Sequence, residues 1–102
     1  MTAPFESSSP SVTVVFQLFV AGNEKHSIAA EQNLRSMCEA HFPGRHTIEV
    51  LNVFEHSGVA LEKRIFMTPA LIKVSPGPQS TIYGTLGEED KVLTSLGLKG
   101  EG

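Results

Sequence analysis

A chain of 102 residues with 40% hydrophobic composition can bury about two-thirds of its unfolded surface, which is one ordinary core and no more. Eight basic residues against eleven acidic ones leave a net charge of -3, with no block of Lys and Arg able to track a phosphate backbone, which argues against nucleic acid as a partner. No apolar run approaches the roughly 20 residues needed to cross a bilayer, and a single cysteine excludes an intrachain disulfide and points to a reducing, cytoplasmic compartment.

Residues 1–11 carry four Ser, two Pro and a Glu, lack a basic n-region and cannot form a core, so they are expected to be a disordered leader to a single domain over residues 12–102. Val12 to Val20 is rich in Val, Phe and Leu and suits a strand buried on both faces. Ala21 to Ser27 reads as a turn, with Ser27 as an N-cap and a helix starting at Ile28. The inward stripe of that helix is expected to be Ala30, Leu34, Met37, Cys38 and His41, and Pro43 and Gly44 end it. His46 to Phe54 predicts a second strand, parallel to the first, which completes a right-handed βαβ unit.

Gly58 to Phe66 allows a short helix around Glu62, Lys63 and Arg64. Pro69 pushes Thr68 out of the helical region and leads into a strand over Ala70 to Val74. Pro76-Gly77-Pro78 forms a turn, Ser80 to Tyr83 returns as the antiparallel partner, and a last helix runs from Glu88 to Leu96 with acidic residues at its start. The resulting order, βαβαββα with a proline at the entrance to the third strand, is a thioredoxin-like plan in the α/β class.

Within that plan, Leu18-Phe19-Val20-Ala21-Gly22-Asn23 at the end of the first strand and Met67-Thr68-Pro69-Ala70-Leu71-Ile72-Lys73-Val74 at the third are distinctive strings. Together with Gly84, Leu86 and Lys91-Val92-Leu93, they resemble the KaiB family of circadian clock proteins over about Val14 to Leu96. The resemblance implies a regulatory protein without catalysis or cofactor of its own. Such a protein docks on the ATPase ring of a KaiC-like partner, captures a KaiA-like protein and competes with a SasA-like kinase. It also implies two folds: a dimeric or tetrameric ground state ordered βαββααβ, and a thioredoxin-like state in which the Thr68-Pro69 bond is cis. Weak local preferences from Ser57 onward mark the half able to repack, while β-branched Ile72 and Val74 beside Pro76-Gly77-Pro78 favour the thioredoxin-like state. Ala29 and Glu49 stand where cyanobacterial relatives tend to carry Arg and Lys on partner faces, a departure that bears on KaiA capture. A thioredoxin-like sensor domain of a SasA-type kinase is the alternative reading.

The remaining chemistry is sparse. A thiol redox enzyme needs a low-pKa cysteine at the first strand–helix junction, and Ala21 to Ser27 contains none, while Cys38 falls on the apolar helical stripe. His26, His41, His46 and His56 fall on separate segments without metal-ligand spacing, and no GxxxxGK phosphate loop occurs. The expected docking face comprises Ala21, Gly22, Asn23, Arg64, Met67 and Thr68, with Pro69 shaping its loop and Arg64 offering bidentate pairing to a carboxylate.

Overall fold

The computed structural model describes residues 13–98, so the expected leader over residues 1–11 lies outside the described residues. In chain order the elements are β1 (Val14–Val20), α1 (Lys25–His41), β2 (His46–Asn52), α2 (Ser57–Glu62), β3 (Ala70–Ser75), β4 (Ser80–Tyr83) and α3 (Glu89–Ser95). This is the thioredoxin-like βαβαββα order, not the βαββααβ alternative. The sheet runs β2-β1-β3-β4. β1 pairs in parallel with β2 from Val14↔His46 to Val20↔Asn52 and antiparallel with β3, where Phe19 faces Ala70. β3 in turn pairs antiparallel with β4, from Ala70↔Tyr83 to Lys73↔Ser80.

The period of two along the strands divides the interior between the two faces of this sheet. On one face Phe16, Leu18 and Val20 of β1 and Leu71 of β3 meet Ala30, Leu34, Met37 and Cys38 of α1 and Val92, Leu93 and Leu96 at the end of the chain. On the other, Phe19, Leu51, Ala70 and Ile72 meet Ala60 and Ile65, from α2 and the loop after it, with Val59, Val53 and Val74 partly buried at the margin. A helix of six residues is about 9 Å long, too short to cover a four-stranded face. The expectation that β1 is buried on both sides therefore holds only near its end, since Val15 and Gln17 are half-buried.

α1 starts three residues earlier than its sequence suggests. Glu24 is the N-cap, its carboxylate accepting the Ser27 N–H at 3.2 Å, while the Ser27 side chain is buried and accepts the Ala21 N–H at 3.2 Å. Ser27 thus ties the preceding turn to the helix and does not cap it. His41, expected on the inward stripe, is exposed and contacts Glu89 at the start of α3: it keeps the helical spacing of the stripe but is the last residue of α1, where the helix end is open to solvent. β2 ends at Asn52, two residues before Phe54, because the Asn52 side-chain oxygen accepts the Phe54 N–H at 2.9 Å and starts a turn.

α2 and α3 terminate in the same way. In α2 the Arg64 N–H bonds to the Leu61 carbonyl and the Ile65 N–H reaches the Ala60 carbonyl at 2.8 Å, with Arg64 at φ 59°. In α3 the Gly97 N–H bonds to Thr94 O and the Leu98 N–H reaches Leu93 O at 2.8 Å, with Gly97 at φ 72°. Both are Schellman ends, whose left-handed residue is normally glycine. The α2 helix thus stops at Glu62, short of the expected Phe66, so that Ile65 can fold back onto Ala60.

Candidate functional site

The end of β1, the end of β2, the start of β3 and the end of β4 all lie at one end of the sheet, as the pairs Val20↔Asn52, Phe19↔Ala70 and Ala70↔Tyr83 require. The loops at that end carry every residue of the expected docking face. Ala21, Gly22 and Asn23 follow β1; Arg64, Met67, Thr68 and Pro69 precede β3.

Each loop is held by specific bonds. Gly22 has φ 60°, and its N–H bonds to Asn52 Oδ1 at 3.3 Å; that same oxygen accepts the Phe54 N–H, so one amide side chain joins the β1–α1 turn to the turn after β2. The Phe54 ring lies over the glycine, where an added Cβ would meet Cε2 at 3.7 Å. The Thr68-Pro69 bond is cis, Pro69 is buried, and its carbonyl accepts the Gly84 N–H at 3.1 Å. Ser75-Pro76, at the opposite end of the sheet, is also cis.

Arg64 and Met67 are exposed, Asn23 is exposed, and Ala21, Gly22 and Thr68 are half-buried. The same end carries an apolar group that hydropathy alone assigns to the core: Phe54 is 76% exposed, Phe66 77%, Leu61 70% and Met67 59%. Phe54, Leu61 and Phe66 were missed as surface residues because their sequence signal is that of strand and helix interiors. The only available sign was the brevity of α2. Exposed apolar side chains on segments that also carry an exposed arginine have the composition of a protein-docking surface.

Reactive groups are placed differently. Cys38 is buried on α1, and burial, followed by the neighbouring Glu39 charge and against the opposing Arg35 charge, pushes its thiol up to about 12. A thiol in that state is protonated at neutral pH and a poor nucleophile. His26 lies 2.8 Å from a Glu24 carboxylate oxygen and His46 Nδ1 lies 2.7 Å from the Phe42 carbonyl, while His56 precedes α2. Among the described residues no three His, Cys, Asp or Glu side chains come together as a metal-holding group, and no helix is long and apolar enough to cross a membrane.

A KaiB domain family model matches residues 17–98. The circadian clock oscillator protein KaiB of Synechococcus elongatus is 38% identical over 90 residues, covering 88% of this chain and 88% of that protein. Its counterpart in Microcystis aeruginosa is 38% identical over 86 residues, covering 84% of this chain and 83% of that protein. Among solved structures, the N-terminal domain of Synechococcus elongatus SasA is similar with a TM-score of 0.71 at 22% identity, covering 99% of this chain and 98% of that one. Mitochondrial thioredoxin 3 of Saccharomyces cerevisiae, in its oxidized form, gives a TM-score of 0.67 at 13% identity, covering 86% and 80%. At these identities the solved structures speak to the thioredoxin-like fold alone.

Proposed function

The chain belongs to the KaiB family, and we propose that it is a clock-type regulator that acts by docking the loop end of its sheet onto the ATPase ring of a KaiC-like partner, without catalysis of its own. The observation that carries this reading is the exposure of Phe54, Leu61, Phe66 and Met67 on the segments that also carry the exposed Arg64. Four large side chains left in water on a domain of this size are a standing cost, which a partner surface relieves at about 25 cal/mol per Å² of apolar area covered.

Arg64 gives the surface its charge selectivity. It occupies a left-handed position at which a residue with a Cβ costs roughly 1–2 kcal/mol and glycine costs little. A guanidinium kept there at such a cost serves the docking face, where it pairs with a carboxylate of the partner. Ala21, Gly22, Asn23 and Thr68 form the polar backbone frame around this group, with Pro69 shaping the loop. Capture of a KaiA-like protein is not included in this reading, since Glu49 carries negative charge and accepts a bond from Gln17 at 3.1 Å. The domain over residues 12–102 is proposed to act as one unit.

Size-exclusion chromatography with a KaiC-like ATPase and ATP tests the proposal. A stable larger complex with the native chain, and at least tenfold weaker association for Arg64→Glu with the fold intact by circular dichroism, is the expected result. No complex in any phosphorylation state of the ATPase overturns it.

A further inference from the structure

The opposite end of the sheet holds a second feature, independent of the docking loops. Lys73 is 4% exposed and is the one charged side chain buried among the described residues. Its place in β3, two residues after Leu71, directs it to the face covered by α1 and α3. Among the described residues it makes no ion pair and no side-chain hydrogen bond. The side chain is enclosed along its length while the ammonium borders the adjoining cavity, so its charge faces that space with no counter-charge among the described residues. The C-terminal end of α3 lies across from it, but a helix end carries only about half an elementary charge, so positive charge remains in excess.

The surroundings have the form of a binding site. The ammonium lies against the Pro76-Gly77-Pro78 turn, where a Cβ on Gly77 would come 3.8 Å from Nζ. That turn, Lys73 and the last turn of α3 bound a cavity of about 390 Å³, to whose wall Ser80, Thr94 and Ser95 contribute hydroxyl-bearing side chains. This volume falls in the roughly 300–1,000 Å³ range of small-molecule sites. Thr94 and Ser95 are exposed, which leaves the mouth open to solvent.

We propose that this cavity binds a compact tetrahedral oxyanion, a phosphate or phosphoryl group, with the Lys73 ammonium as its counter-charge and the Ser80, Thr94 and Ser95 hydroxyls as donors. An ammonium and three hydroxyls match a group that offers several acceptor oxygens, and the charge-assisted bond from lysine supplies the strongest contact. Free phosphate and the phosphate of a nucleotide share this chemistry.

Nitrogen-15 NMR of the full chain at constant ionic strength tests the site, with separate titrations of inorganic phosphate, adenosine diphosphate and sodium glutamate. Saturable shifts confined to Gly77, Ser95 and Gly97 are expected with phosphate. Tighter binding of adenosine diphosphate assigns the site to nucleotide phosphate, and equal or weaker binding assigns it to the free ion. Lys73→Met should weaken binding at least tenfold, while Lys91→Met, at an exposed lysine 3.0 Å from Glu88, should leave it unchanged. Shifts that do not saturate, an equal response to glutamate, or native affinity in a folded Lys73→Met chain would overturn the proposal. If that variant does not fold, Ser80→Ala decides: severalfold weaker binding supports the site, and unchanged binding refutes it.

Discussion

The two faces of the sheet are built to different standards. α1 and α3 close one face over Phe16, Leu18, Leu34 and Leu71, each without solvent exposure, whereas six residues of α2 cover only part of the other and leave Leu61, Phe66 and Met67 in water. Covered apolar area stabilises the fold; uncovered apolar area at the loops is available for association. The lesson is that stability and recognition are divided between the faces, so substitutions on each should be read by different measurements.

The largest expected effect is on the closed face. Leu34→Ala should destabilise the domain by about 2–5 kcal/mol in urea denaturation, because the fully buried side chain sits between strand and helix and its cavity cannot collapse. Phe54→Ala, at the loop end, should change stability by no more than about 0.5 kcal/mol while weakening capture by a KaiC-like ATPase. Equal stability losses in the two variants would erase the distinction drawn between the faces.

The matched helix ends sharpen it further. Gly97→Ala should cost about 1–2 kcal/mol, since alanine must take a left-handed backbone at φ 72°. Arg64→Gly should instead stabilise the chain by about 1 kcal/mol or less, the relief of strain being partly offset by the entropy of glycine. Thermal unfolding measures both, and the same Arg64→Gly protein should bind the ATPase more weakly. Gain in stability with loss of binding at one residue is the signature of a position retained for recognition.

Titration separates the interior from the surface in a third way. Folding keeps the Cys38 thiol protonated up to about 12, while the unfolded thiol ionises near 9.0, so the native chain binds more protons and loses stability as pH rises through that window. At pH 8 the native thiolate fraction is on the order of one in ten thousand, and alkylation should be slow until denaturant is added. Glu24 is held below its ordinary 4.5 by backbone hydrogen bonding at His26, then by the His26 side chain. Its contribution is present above the ordinary value and is lost as pH falls through the lowered one. A carbon-13 titration of its carboxyl should show a midpoint below 4.5, and Glu24→Gln should flatten that small acid-limb change.

Much of this architecture was legible in the residues. β4 at Ser80–Tyr83 matches its expected range because proline and glycine punctuate both sides, and the α1 stripe through Cys38 follows helical spacing. The start of α1 was not legible, because Ser27 has the better N-cap chemistry and only tertiary structure diverts its hydroxyl to Ala21. Phe54 and Phe66 read as interior residues, since hydropathy records what a side chain prefers and not whether a neighbouring helix is long enough to cover it. Arg64 was identifiable as a candidate contact, but its left-handed backbone depends on the return of Ile65 to Ala60. Burial of Lys73 was invisible for a related reason: a lysine in a strand normally marks the solvent face.

The amide of Asn33 donates to the Thr85 carbonyl at 2.7 Å, spanning 52 positions of the chain. This bond acts as a latch between the first helix and the loop that feeds the last one. While it is closed, β4 and α3 are fastened to the body of the molecule at a point remote from the sheet ladder. Opening it would leave β4 paired with β3 and α3 still anchored by Val92, Leu93 and Leu96, so the slack it creates is confined to the connecting loop.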